Sequence, residues 1–115
     1  MTFPGPTSPF PLPFIKTDFP LFLAPMAGVT DPIFRTICKE PGADVMVSAF
    51  VSPEGILQAW ERNRRYTKIE ESHRTIGIQL FGATGANLGE AATLIMDQET
   101  PDSIDLNFDC PVPKV

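Results

Sequence analysis

The sequence has few cysteines, no long apolar run and no recognisable secretion signal. Its two cysteines, Cys38 and Cys110, are too few for a disulfide framework, so a reducing, cytoplasmic setting is expected. No apolar stretch reaches the roughly 18 residues that a membrane span needs, so no membrane association is predicted. The first residues lack the basic-then-apolar order of a signal peptide. No metal site is predicted.

An excess of basic residues is also missing, since the formal net charge is −5. Phosphate contacts dominate nucleic-acid affinity, so the composition gives no independent support for an RNA partner. Any RNA-binding surface would have to be local or lie in residues outside this chain. The basic residues of 62–68 could contact RNA phosphate, but a solvated helix end is the favoured interpretation. His73, the single histidine, lies in a polar loop and is predicted to be solvated.

Proline, by contrast, is frequent at the start of the chain. Five prolines fall within residues 1–13. Because proline removes a backbone donor and fixes φ, residues 1–18 are predicted to form a flexible or polyproline-like extension. Residues 19–115 are predicted to form the folded domain.

Short apolar runs alternate with helical patterns through that domain. Strands are predicted at 21–24, 45–50, 76–81 and 104–108. Asp31-Pro32 and Ser52-Pro53 each place a capping side chain before a proline, which predicts the start of a helix. Apolar residues at helical spacing mark the three predicted helices: Ile33, Phe34, Ile37 and Cys38; Ile56, Leu57 and Trp60; Leu88, Ala91, Ala92 and Ile95.

The resulting order, β-α-β-α-β-α-β, indicates an α/β fold with a parallel sheet. The predicted strands begin 24 to 31 residues apart. That spacing agrees with a (β/α)8 barrel, which uses about 250 residues for eight units. A flavodoxin-like open sheet has the same order of elements, so periodicity alone leaves both folds open.

Two amide side chains follow the pattern of a ligand site. Gln79 and Asn107 alternate with apolar neighbours, so each should point away from the helix-covered face near the carboxyl end of its strand. Ligands bind at that end in α/β folds, and an amide offers both donors and acceptors. An amide satisfied by neighbouring backbone would leave the same pattern, and alternation alone does not separate the two.

Two further segments are candidates for chemistry. Residues 24–31 combine small residues with a proline, which allows close backbone approach to a flat ligand, although a plain strand-to-helix turn has the same composition. Cys110 follows the last predicted strand. A thiol with a pKa of about 8.5 is mostly protonated at neutral pH and can donate a proton, but spacing alone favours a small apolar filler. Cys38 lies in a helical stripe and is interpreted as filler.

Three motifs together resemble the dihydrouridine synthase family. They are APMAGVTD at 24–31, QLFG at 79–82 and DLNFDCPVPKV at 105–115, in the family's order and at its separations. The resemblance extends from Leu21 to Val115. It implies a (β/α)8 TIM barrel, here represented by its first four strands and three helices. It also implies FMN as cofactor, NADPH or NADH as reductant, and reduction of uridine in tRNA to 5,6-dihydrouridine.

The resemblance also implies roles for individual residues. Pro25, Met26 and Ala27 would line the flavin through backbone contacts. Gln79 would hydrogen-bond the isoalloxazine ring, and Asn107 would lie beside the flavin and the substrate.

The third motif would contribute the general acid. By the resemblance, Cys110 protonates C5 of uracil on the face opposite the hydride that reaches C6. The chain departs from the family at Asp109, where the family has glycine, and at Pro113, where lysine is usual. We expect the carboxylate of Asp109 to disfavour the reduced, anionic flavin.

The length of the chain leaves alternatives open. Because it ends soon after the fourth predicted strand, a partial enzyme is expected, with weak FMN binding by the isolated chain. Phosphate sites in such barrels follow strands seven and eight. Unpaired edges of the first and fourth strands are expected to cause self-association. One alternative is a dihydroorotate dehydrogenase-like FMN barrel, which residues 24–31 fit poorly. Another is a non-catalytic half-barrel that acts as an interaction module.

Overall fold

A computed structural model describes Ile15, residues 17–82 and residues 84–108. Most of the proline-rich start and everything from residue 109 onward lie outside these residues. Within them the chain forms strands β1 (Phe22–Leu23), β2 (Val45–Val47), β3 (Ile76–Leu80) and β4 (Ser103–Leu106), and helices α1 (Pro32–Lys39), α2 (Pro53–Gln58), α3 (Trp60–Thr67) and α4 (Gly85–Gln98). A 3-10 turn spans Glu71–His73. None of the helices in the described part is long and apolar enough to cross a bilayer.

The four strands form one parallel sheet in the order β1-β2-β3-β4. The predicted α/β class and parallel pairing are confirmed. A flavodoxin-like sheet has the order 2-1-3-4-5 and places its first strand inside. Here β1 lies at the edge, so the flavodoxin-like alternative is excluded. The sequential order is that of consecutive units in a (β/α) barrel.

The main core lies between β3 and the two helices that cover it. Ile78 and Leu80 pack against Ile56 of α2 and against Ala91 and Ile95 of α4, and all five are almost fully buried. The positions predicted to face inward in the second and third helices are therefore confirmed. Partly buried apolar residues surround this cluster, among them Leu57, Trp60, Leu88 and Ala92.

The predicted helix starts are also confirmed. Asp31 Oδ1 accepts a hydrogen bond from Phe34 N at 2.7 Å, with a proline at the start of α1. Ser52 Oγ accepts from Gly55 N at 3.3 Å, again before a proline. Each cap satisfies a backbone N–H that has no partner within its own helix.

The helix predicted after Ser52 is two helices, so that prediction was wrong. Ala59 leaves the helical region, with φ −148° and ψ 63°, and separates α2 from α3. Asn63 Nδ2 donates to Gly55 O at 2.9 Å and to Ala59 O at 3.0 Å. These bonds tie α3 to the carbonyls at the junction, which also accept from the backbone N–H groups of Ala59 and Asn63. Trp60 packs against the core.

The stripe predicted for α1 does not pack as expected. Ile33 and Ile37 are 73% and 61% exposed, whereas Arg35 is only 5% exposed. The helix lies beside the edge strand β1 and packs against the 3-10 turn, so one of its flanks is uncovered in the described part of the chain. The prediction of a solvated His73 was also wrong, because that side chain is 1% exposed. Thr36 Oγ1 lies 2.6 Å from its Nε2.

Candidate active site

The carboxyl ends of all four strands meet at one edge of the sheet, because the strands are parallel. The β1–α1 loop, residues 24–31, leaves the sheet at this edge. Ser48 follows β2, Gln79 lies near the end of β3, and Asn107 directly follows β4. The predicted cofactor residues therefore lie at the edge where ligands bind in parallel α/β folds.

A hydrogen-bonded group joins the two predicted amides through a third residue. Gln79, 7% exposed, donates from Nε2 to Asp105 Oδ2 at 2.6 Å. Its Oε1 accepts from Asn107 Nδ2 at 3.3 Å. A carboxylate only accepts hydrogen bonds, so Asp105 turns the NH2 of Gln79 toward itself and the carbonyl toward Asn107.

Sequence reasoning did not single out Asp105. Alternation along β4 placed it on the same face as Asn107, and this was the available signal. Its pairing with Gln79 depends on the register between β3 and β4, in which Gln79 and Asp105 are direct Cα partners. No local pattern specifies that register.

The backbone near Gln79 is held by the neighbouring strand. Ser48, 4% exposed, accepts from Gln79 N through its Oγ at 3.2 Å. Gln79 O in turn accepts from Val51 N at 2.9 Å. The backbone N–H and C=O of Gln79 are therefore both hydrogen-bonded, and one of its two Nε2 hydrogens is donated to Asp105. The second Nε2 hydrogen is not used by any described residue. That hydrogen suits an acceptor on a planar ligand.

The β1–α1 loop is closed by the side chain of Thr30. Its Oγ1 accepts from Met26 N at 2.8 Å and donates to Ala24 O at 3.1 Å. Met26 O accepts from Val29 N and from Thr30 N. Gly28 has φ +75°, a conformation that side-chain-bearing residues rarely adopt. The backbone conformation at Gly28 therefore explains why this motif carries a glycine at that position.

The loop places Pro25, Met26 and Ala27 at the same edge as the amides, Pro25 half-buried and the other two exposed. Both backbone polar groups of Met26 are used within the loop, so its peptide can line a ligand only through van der Waals contact. No hydrogen bond within the described ranges joins these three residues to Gln79 or Asn107.

The glycine that ends the second motif allows a close approach. A Cβ at Gly82 would lie 2.8 Å from Pro53 Cγ, at the start of α2. Real Cβ contacts essentially never reach that distance, so glycine lets α2 begin directly above the end of β3. The start of that helix is then held beside the candidate site.

The predicted acid Cys110 lies outside the described residues, as do Asp109 and Pro113. Their placement relative to Gln79 stays a prediction. No group of three or more His, Cys, Asp or Glu side chains in the described part of the chain could hold a metal ion.

Comparison with known proteins identifies relatives along nearly the whole domain. The profile of the dihydrouridine synthase (Dus) family matches residues 22–115. The chain is 39% identical over 98 residues to a probable tRNA-dihydrouridine synthase of Aquifex aeolicus, covering 83% of this chain and 30% of that protein. It is 35% identical over 99 residues to tRNA-dihydrouridine synthase B of Salmonella typhimurium, covering 83% and 29%. The chain thus spans about three-tenths of the length of these curated relatives.

Proposed function

The chain belongs to the dihydrouridine synthase family, and we propose that it forms the first four strands of a (β/α)8 TIM barrel that reduces uridine in tRNA to 5,6-dihydrouridine. The supporting observation is that residues 24–31, 79–82 and the start of 105–115 reach one edge of a sequentially ordered parallel sheet. The relatives' names support tRNA as the substrate.

The donor set at this edge fits the ring of FMN. The ring edge carries both acceptors and a donor, and Gln79 keeps one N–H for an acceptor while Asp105 prevents its amide from rotating. When bound, FMN supplies the hydride for C6 of uracil, and NADPH or NADH is the reductant. The small residues of the β1–α1 loop leave the ring face accessible.

The residues of this chain then divide the remaining work. Pro25, Met26 and Ala27 would line the flavin through backbone contacts, and Asn107 would lie beside the flavin and the substrate. Cys110 delivers the proton to C5. A thiol that is mostly protonated near pH 7 suits this step.

A chimaera tests the proposal. Residues 22–115 replace the corresponding segment of the Aquifex aeolicus relative, and flavin absorbance and dihydrouridine formation in tRNA are measured. We expect a yellow, active protein. A colourless chimaera beside a yellow parent would mean that these residues do not hold FMN.

Single substitutions in that chimaera separate the roles. Cys110→Ala should lower uridine reduction by about 10²–10⁴-fold while flavin binding and its reduction by NADPH stay nearly intact. Gln79→Met should weaken flavin binding, whereas Gln98→Met, at an exposed amide on α4, should not. Equal effects of the two glutamine substitutions would remove Gln79 from the site, and full activity of Cys110→Ala would remove Cys110.

A non-catalytic assembly module is the second candidate. It is favoured by the apolar side chains exposed around β1 and α1, where Leu21, Phe22 and Ile37 are 50%, 55% and 61% exposed. Together with the edge of β1 that pairs with no strand in the described part of the chain, this surface favours self-association of the isolated chain. Sedimentation of the isolated chain as an oligomer, combined with a colourless chimaera, would favour this candidate over the enzyme.

A further inference from the structure

A second concave site lies at the carboxyl edge of the sheet, apart from the Gln79 group. It is a cavity of about 230 Å³ between the β1–α1 loop, the segment after β2 and the end of α3. Its polar and charged lining includes Asp31, Arg35, Ser48, Arg65 and Tyr66.

The buried wall of the cavity is formed by Arg35, whose hydrogen-bonding capacity is largely unused. The side chain is 5% exposed. Its Nη1 donates to Thr30 O at 2.8 Å, which is its only side-chain hydrogen bond within the described residues. Its Nε is buried without a partner. A guanidinium has five N–H donors, so most of them remain available.

The charge of Arg35 is also incompletely balanced. None of the ion pairs among the described residues includes it. Burial lowers the pKa of Arg35, and the nearby carboxylates of Asp31 and Glu70 act in the opposite direction. An arginine nevertheless stays protonated in proteins, so a buried positive charge without a direct anionic partner persists beside the cavity.

A second guanidinium lies at the exposed rim. Arg65 Nη2 donates to Tyr66 Oη at 2.6 Å, and its Cζ lies 4.7 Å from the centre of the Tyr66 ring. Both residues line the cavity. The hydroxyl of Ser48 adds a neutral polar group to the wall.

We propose that this cavity binds a phosphate group, held by the buried guanidinium of Arg35 and by Arg65 at the rim. Guanidinium groups present paired N–H donors that match two phosphate oxygens, and a partly desolvated site strengthens such bonds. This site goes beyond the proposed flavin function. Its lining does not include Gln79, Asp105 or Asn107, although it adjoins them through Ser48 and the β1–α1 loop.

The charge of the lining favours a singly charged phosphate. Asp31 is the carboxylate in the lining, and it already accepts from Phe34 N at the start of α1. Because Asp31 already caps the N-terminus of α1, a bound anion would be attracted by the two arginines and repelled by Asp31. The net charge of these three side chains is +1. One net positive charge suits a phosphodiester, with one negative charge, better than a doubly charged phosphate monoester. The source is then either a small phosphodiester or the backbone of a nucleic acid.

The test follows the arginine Nε–H NMR signals of the 115-residue chain during titration with dimethyl phosphate, a small phosphodiester. Sodium chloride at equal ionic strength is the control. We expect saturable shifts at Arg35 and Arg65, and weaker binding of inorganic phosphate. Tighter binding of a short oligouridylate through the same two signals would identify nucleic acid as the source. Equal affinities for oligouridylate and dimethyl phosphate would identify a small phosphodiester.

Three variants make the result decisive. Arg65→Gln, on the exposed rim, should fold normally and weaken binding by about tenfold or more, as expected for loss of a charged hydrogen bond. Arg35→Lys should weaken it similarly, because lysine keeps the charge but loses the paired donors. Arg64→Gln is the matched control, since Arg64 is exposed and paired with Glu61. Shifts that do not saturate, or that Arg64→Gln reduces as much as Arg65→Gln, would overturn the proposal.

Discussion

The β1–α1 unit and the rest of the domain are held together by different forces. Around β3, α2 and α4, apolar side chains form a buried cluster. In the β1–α1 unit the well-buried side chains are polar, Thr30 at 3% and Arg35 at 5% exposure, while Ile33 and Ile37 of the same helix are largely exposed. One region is stabilised mainly by apolar burial and the other mainly by directed hydrogen bonds.

This difference bears on function, because the two forces specify different things. Apolar burial is non-directional and favours compactness. Hydrogen bonds have narrow geometry and specify the path of a backbone. The β1–α1 loop carries the residues proposed to line the flavin, and its shape depends on Thr30 bonding Ala24 and Met26. Three experiments test the contrast.

The largest effect is expected in the apolar cluster. Ile95→Ala should lower the free energy of unfolding by about 2–5 kcal/mol, because it leaves a cavity where the side chain is fully buried. Ile37→Ala, the same change at an exposed position of α1, should stay within about 0.5 kcal/mol. Urea denaturation followed by circular dichroism measures both. Similar losses at the two positions would mean that α1 is covered by another surface in solution.

A smaller loss is expected for the loop. Thr30→Val keeps the shape of the side chain but removes both hydrogen bonds, which should lower the free energy of unfolding by about 1–3 kcal/mol. Thr30→Ser should retain most of the wild-type stability, because serine keeps the hydroxyl group. Hydrogen exchange at the amide of Met26 should accelerate in the valine variant, since Thr30 Oγ1 is the acceptor of that amide. Unchanged exchange would show that the loop keeps its shape without this clamp.

The smallest effect, limited to acidic pH, is expected at His73. Burial lowers the pKa of His73 below its ordinary 6.5, Arg35 and Lys39 lower it further, and Glu70 opposes them. As the pH falls through 6.5, the histidine of the unfolded chain therefore binds its proton first. The free energy of unfolding should then decrease as the pH falls further, until the pH reaches the pKa of the folded state. Denaturation of the wild type and of His73→Gln between pH 7 and about pH 5 measures the difference. A wild-type slope no steeper than that of the variant would contradict the burial of a neutral His73.

Much of the architecture was predictable from local signals. The Asp31-Pro32 and Ser52-Pro53 pairs predicted helix starts that the structure confirms, because a cap and a proline act on the adjacent backbone alone. Alternation along β3 correctly separated Gln79 from the apolar core residues. The break at Ala59 was missed because it involves hydrogen bonds from the Asn63 side chain to the carbonyls of Gly55 and Ala59. The sequence around these residues has the pattern of an ordinary helix.

The residue order was therefore sufficient for the succession of elements, the two capped helix starts and the face that β3 buries, since these depend on neighbours a few residues apart. The same alternation was wrong for the end of β4, where Leu106 and Phe108 were expected to pack under the helices but are 41% and 88% exposed. The three-dimensional fold was needed for the contacts between distant segments. The pairing of Gln79 with Asp105 depends on strand register. The burial of Arg35 and His73 depends on how α1 meets the 3-10 turn. Such contacts join residues tens of positions apart, and no local periodicity encodes them.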